Sequence, residues 1–152
     1  MIKKARQYAL LLLKYRPRSI NEFREKLNKH GFSEDVINEL VTDFKKRGLL
    51  DDTKFAKMWL ADRMSFKPMG RFKLKAELKA KGISEFDIDD AIAGAKDDID
   101  EYESARKLAL GRLRQLSGLD KVTAKRRLAG FLERRGFSYD AVMKAVKAVI
   151  KA

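Results

Sequence analysis

The chain has 152 residues and no cysteine, which excludes a disulfide framework, a thiol nucleophile and thiolate metal ligands. A chain of this length buries about 68–70% of its unfolded surface and can fold on its own core. Its 35 Lys and Arg against 22 Asp and Glu leave a net charge of +13. That excess points to a polyanionic partner, a nucleic acid or a nucleoprotein, or to an acidic protein surface.

The first helix is predicted over 2–16, with Ile2, Ala5, Ala9, Leu12 and Leu13 on one face. Pro17 stops it, because the residue before a proline is pushed out of the helical region. The longest apolar run, Ala9–Leu13, falls far short of the roughly 18–20 residues that cross a bilayer, so no membrane span is expected. The basic start Met1-Ile2-Lys3-Lys4 has no adequate apolar region behind it, and no signal peptide is read there. Ser19-Ile20-Asn21-Glu22 is a capping box that opens a second helix over 19–30. A third follows over 34–47. Asp51 or Asp52 caps a fourth, over 52–66, with Phe55, Trp59 and either Met58 or Ala56 inward, and Pro68 and Gly70 close it. The remaining helices are expected over 70–81, 85–96, 100–116, 121–135 and 139–151, with Ser117-Gly118 ending the seventh.

One string punctuates this series three times: Leu27 to Gly31-Phe32-Ser33, Leu78 to Gly82-Ile83-Ser84, and Leu132 to Gly136-Phe137-Ser138. Each glycine stands where a helix ends in a left-handed residue, which glycine adopts without steric cost. The Leu and the residue after Gly then make the apolar contact of a Schellman cap, and the Ser caps the next helix. Downstream, Ile37, Leu40, Val41 and Phe44 form one buried stripe. Ile88, Ala91, Ile92 and Ala95 repeat it, as do Val142, Ala145, Val146 and Val149. Upstream, Phe23, Leu74 and Leu128 hold equivalent positions. The expected fold is all-α: three tandem three-helix repeats, 1–50, 51–99 and 100–152, in an elongated, curved array. No hairpin dipeptide or sustained period-two run signals a strand.

Charge concentrates on the second helix of each repeat. Arg24, Lys26 and Lys29 lie in the first; the stretch from Lys67, just before the second repeat's helix, to its end holds Lys67, Arg71, Lys73, Lys75, Lys79 and Lys81 against Glu77 alone; Lys125, Arg126, Arg127, Arg134 and Arg135 lie in the third. Any one of these cations reads as the solvated face of an amphipathic helix. Their recurrence favours a basic stripe suited to a phosphate backbone or an acidic groove. The candidate contacts are Arg24, Lys26, Lys67, Arg71, Lys73, Lys75, Lys79, Lys125, Arg126, Arg127, Arg134 and Arg135.

Catalytic chemistry has little support. His30, the one histidine, ends a helix where Lys81 and Arg135 stand in the other repeats, so it reads as a cation at a helix C-terminus. The acids Asp87, Asp89, Asp90, Asp97, Asp98, Asp100, Glu101 and Glu103 lack the spacing of a calcium loop, and neither a metal site nor a cofactor is expected. Trp59 reads as core rather than as a stacking platform. Phe66 and Phe72, beside Lys67-Pro68-Met69-Gly70-Arg71, stand open between packing and base stacking.

Gly48-Leu49-Leu50-Asp51-Asp52-Thr53-Lys54-Phe55-Ala56 resembles the "GLLDDxxFA" signature of the RecX regulatory proteins. Gly70-Arg71, Leu74 and Glu77-Leu78-Lys79-Ala80-Lys81-Gly82-Ile83 are similar to the stretch that follows it in that family, and Arg134-Arg135-Gly136-Phe137-Ser138-Tyr139 resembles its terminal motif. Met69 departs from the small or aromatic residue many members carry before the Gly. The resemblance covers essentially the whole chain. It implies a cytoplasmic bacterial modulator that associates with the RecA–DNA filament, limits its growth, and inhibits strand exchange and co-protease activity in DNA repair and the SOS response. The expected partner is the RecA filament, with single- or double-stranded DNA inside it, and the expected state a monomer without enzyme activity. The alternative is a direct, sequence-independent DNA-binding protein made of helix-turn-helix-like modules. Sequence-specific reading is disfavoured, since the third helices are fairly acidic and the second mostly Lys and Arg.

Overall fold

The first helix stops at Tyr15, two residues before Pro17, and the chain turns into the box that opens the second. There Ser19 Oγ accepts the Glu22 amide at 3.1 Å and a Glu22 carboxylate oxygen accepts the Ser19 amide at 3.1 Å. The computed structural model describes residues 2–66, 69–95 and 100–151, leaving aside the side chains of residues 65 and 66. Within them the helices are α1 (Ile2–Tyr15), α2 (Ile20–Lys29), α3 (Glu34–Lys46), α4 (Asp52–Phe66), α5 (Arg71–Ala80), α6 (Glu85–Gly94), α7 (Glu101–Arg112), α8 (Lys121–Arg134) and α9 (Tyr139–Val149), with no strand among the described residues. They form three three-helix repeats. The seventh differs from expectation: α7 ends at Arg112 and tightens into a 3₁₀ turn, Leu113–Leu116, that buries Leu116.

All three repeated caps are Schellman turns. The glycines sit at φ +96°, +80° and +86°, and the Phe32, Ile83 and Phe137 amides donate to the Leu27, Leu78 and Leu132 carbonyls at 3.2, 3.2 and 3.4 Å. Ser33, Ser84 and Ser138 then accept the Val36, Asp87 and Ala141 amides through their hydroxyls. A fourth cap of the same kind, unread in the sequence, ends α3: Gly48 sits at φ +74° and the Leu49 amide donates to the Phe44 carbonyl at 2.9 Å.

The chain divides into two compact units. One holds the residues up to Met58 together with Leu78–Ala91; the other holds Trp59–Glu77 and the residues from Ile92 onward. The core of the first unit gathers Ala5 and Ala9 of α1, Phe23 and Leu27 of α2, and Ile37, Leu40, Val41 and Phe44 of α3, with the Phe23 and Phe44 rings 5.5 Å apart. The core of the second gathers Ala105 and Ala109 of α7 with Leu128 and Leu132 of α8 and Val142, Ala145 and Val146 of α9. The paired alanines of α1 and α7 are fully buried, and their small side chains let the neighbouring helices approach closely. On α4 the inward residues are Phe55, Ala56 and Leu60; Met58 is exposed. Met69 is buried. No helix of the described residues is long and apolar enough to cross a membrane.

Residues of the second repeat fall in both units, and each unit contains one junction between consecutive repeats. In the first, Ser19 Oγ donates to the Lys81 carbonyl at 2.8 Å, just before the Gly82 cap, and the Ile20 amide donates to Asp52 at 2.9 Å. In the second, the Gly70 amide donates to the Arg135 carbonyl at 2.8 Å, just before the Gly136 cap, and the Arg71 amide donates to Glu101 at 2.7 Å. Ser19 and Gly70 are equivalent repeat positions, as are Ile20 and Arg71. Each junction thus sets the N-terminus of one repeat's second helix on the C-terminal carbonyls of the next repeat's second helix, aligning their dipoles head to tail. The close approach needs glycine. A Cβ on Gly82 would lie 2.5 Å from the Asn21 Cβ, and one on Gly136 would lie 2.5 Å from the Lys73 amide nitrogen.

Candidate polyanion-binding surfaces

The acidic pairs that open the second and third repeats divide their labour. Asp51 caps its own helix by accepting the Lys54 amide at 3.2 Å, while Asp52 serves Ile20 of the preceding repeat. Asp100 likewise accepts the Glu103 amide at 3.0 Å, while Glu101 accepts the amides of Arg71 and, at 3.3 Å, Ser138. Burial pushes the Asp52 carboxyl up, against the pull of the Ile20 amide, and the charges of Asp87 and Asp51 push the same way. The other perturbed acids that take part in ion pairs are held low by cations. Burial pushes Glu22 up, but hydrogen bonds from Arg16, the Ser19 amide and Lys81 outweigh it and bring its carboxyl down to about 2. Asp43 is lowered first by Arg6 and then by Arg47, and Glu103 first by Arg106.

These acids therefore form caps and ion pairs. No group of three or more His, Asp or Glu side chains suited to a metal occurs among the described residues, and Asp97 and Asp98 lie outside them. His30 closes α2 as its C-cap, and its ring stacks on Tyr8 at 4.0 Å and near Phe32 at 5.3 Å. Trp59 is half-buried, with its Nε1 donating to Glu77 at 3.2 Å and the Arg63 guanidinium 4.5 Å over its ring. Phe72 is 65% exposed.

The candidate cations fall into distinct settings. In the first unit, Arg24 is tied to Asn38 at 2.8 Å, while Lys26 and Lys79 are exposed. In the second, Arg71 and Lys75 line a cavity of about 470 Å³ with Phe72, Glu101, Asp140 and Lys144, so cations and acids share its wall. Lys73 is half-buried at the junction, its backbone against Gly136. Lys125 lines a second cavity, of about 590 Å³, with Met143, Lys144, Lys147, Ile150 and Lys151. Arg126, Arg127 and Arg134 come together around a third, of about 370 Å³, and Arg135 rests 5.1 Å over Phe131. Lys67 lies outside the described residues.

Two groups of cations were missed by the sequence reading. Arg112 of α7 joins Arg126, Arg127 and Arg134 across the third cavity; one cation on a first helix gives no pattern to find it by. Lys144, Lys147 and Lys151 of the third repeat do follow a helical spacing, but they lie in and just after a third helix, whereas the recurring basic pattern is on the second.

Three-helix repeats joined helix end to helix end, with acids engaged in caps and ion pairs and cations gathered at surface cavities, define a basic helical-repeat protein. Models of the first, second and third three-helix domains of RecX match residues 5–44, 51–92 and 99–146. The chain belongs to the RecX family. It is 34% identical over 149 residues to the regulatory protein RecX of Amycolatopsis mediterranei, covering 98% of this chain and 85% of that one. It is 33% identical over 150 residues to that of Streptomyces coelicolor, covering 99% and 79%. The crystal structure of RecX from Lactobacillus salivarius superposes with a TM-score of 0.87 at 25% identity, over 97% of this chain and 96% of that one.

Proposed function

We propose that this chain is a non-catalytic regulator that binds the RecA–DNA filament and lowers its recombinase and co-protease activities. The observation that carries this reading is the match of all three repeats to RecX domains, together with near-full-length relatives named regulatory proteins. The exposed cations Lys26, Lys75, Lys79, Arg126, Arg127 and Arg134 support it, since they provide long-range attraction toward an acidic filament groove or the DNA within it. The naming of those relatives as regulatory proteins supports the absence of turnover. In this reading the chain acts as a cytoplasmic monomer, with repeats bounded at 1–50, 51–99 and 100–152.

The test is a titration of the full chain into RecA assembled on single-stranded DNA, followed by ATP hydrolysis and strand exchange. Inhibition below one chain per recombinase protomer is expected. Full activity at saturating chain overturns the reading. Charge reversal at Lys75 and Lys79 together should weaken filament binding at least tenfold, whereas unchanged binding removes the second repeat's helix from the contact. Lys73 is left out because it is half-buried, with its backbone against Gly136.

A further inference from the structure

We infer that the third repeat carries a phosphate-binding site for a nucleic-acid backbone, formed by Arg112, Arg126, Arg127 and Arg134 around one cavity. The four guanidinium groups come from the end of α7 and from two turns of α8, and Gln115 of the 3₁₀ turn adds an amide. Among the described residues no carboxylate lines the cavity, and none pairs with any of the four arginines as a salt bridge. Asp120 lies close enough to feel the charge of Arg126 but is not part of the wall.

Two features show the cluster to be built rather than scattered. The Arg112 guanidinium lies 4.7 Å over the Phe131 ring, so stacking fixes its place while its N–H groups remain available. Gly130 stands in the middle of α8, where glycine weakens a helix and no positive φ calls for it. The one atom a Cβ there would meet is Arg134 Nη1, at 3.2 Å. Glycine thus leaves the helix surface bare where the Arg134 guanidinium folds back over it.

The chemistry selects phosphate over a protein partner. A protein interface sets its arginines among aromatic and apolar anchors, and the sole large apolar side chain lining this cavity among the described residues is Leu116. Converging guanidinium forks match phosphate oxygens in pairs, and a nucleic-acid backbone presents such charges in series, whatever its sequence. The cavity beside Lys125 contrasts with it: Met143, Val146 and Ile150 make its wall largely apolar. The inference rests on the filament reading only in naming DNA as the source of the phosphates.

The test uses the full chain and a fluorescein-labelled thirty-residue oligothymidylate, followed by anisotropy across a salt series. The triple variant Arg112→Gln, Arg127→Gln, Arg134→Gln should bind at least tenfold more weakly, and its salt slope should fall by about two, at roughly 0.7 counterions per phosphate contact. The control Lys144→Gln, Lys147→Gln, Lys151→Gln removes the same charge elsewhere and should lose less than threefold. Gly130→Ala should raise Tm, through helix propensity, while weakening oligonucleotide binding two- to fivefold by displacing Arg134. A purely structural role for Gly130 would not move these in opposite directions. Equal losses in the two triple variants, or no binding by the unaltered chain at 50 mM salt, overturn the site. Displacement by polyglutamate as effective, charge for charge, as by unlabelled oligonucleotide overturns phosphate in favour of an acidic protein surface. A chain that binds the oligonucleotide in this way yet leaves RecA activity intact sinks the filament reading and leaves this site standing.

Discussion

Glu22 sits 15% exposed between Arg16, at 2.7 Å, and Lys81, at 3.2 Å, while its carboxylate also accepts the Ser19 amide. Its carboxyl is lower in the folded chain than in the unfolded one, so its charge stabilises the fold at pH above the unfolded value, and that stability is lost as the pH falls toward about 2. Substitution Glu22→Gln leaves one side-chain oxygen to accept the Ser19 amide in the capping box, and removes the charge together with the oxygen that accepts from Arg16 and Lys81. It should cost about 2–3 kcal/mol near neutral pH, read by urea denaturation, and the difference from the parent should shrink steadily between about pH 5 and 2. An equal difference at both ends of that range would show that shape, not charge, is what Glu22 contributes. The box itself was legible from Ser19 and Glu22 alone because it is local. The partnership with Lys81 was not, since it depends on which helix end docks there.

At the scale of helices, the caps were the clearest text in the sequence: a left-handed turn needs glycine, and its apolar clasp and serine follow at fixed offsets. What the string could not convey is that its three glycines do different work. A side-chain carbon on Gly31 would meet nothing within 4 Å, whereas Gly82 and Gly136 carry a neighbouring helix end directly against them. Alanine at position 31 should therefore cost about 1–2 kcal/mol, the penalty of the left-handed conformation. Alanine at position 136 should cost about 3 kcal/mol or more, because crowding against the Lys73 backbone adds to it. Comparable losses at both positions, measured by denaturant unfolding, would show that the junction adds no crowding at Gly136. The Asp51-Asp52 pair shows the same limit. Either residue fits an N-cap in sequence, and only the docked helix assigns Asp51 to α4 and Asp52 to Ile20.

For the molecule as a whole, the helical class, the threefold repetition and the excess of positive charge were all readable, because periodicity and composition survive in one dimension. The gathering of cations was not. Arg112 stands on a different helix from Arg127 and reaches it only through the packing of α7 on α8. Conversely, Lys73 looked like its exposed neighbours and proved to be a junction residue.

The first amides of a helix ordinarily face water and exchange their hydrogens within the first moments in heavy water. Here the Ile20, Gly70 and Arg71 amides are bonded across the junctions, to Asp52, the Arg135 carbonyl and Glu101. Their exchange should be slowed at least a hundredfold relative to the amide of Glu34, which opens α3 without a bond of this kind to another repeat. Ile20 then reports on the opening of one junction and Gly70 with Arg71 on the other, each without unfolding a helix. If the two sites exchange at different rates, the junctions open independently; if both match the deepest core amides, neither opens short of global unfolding.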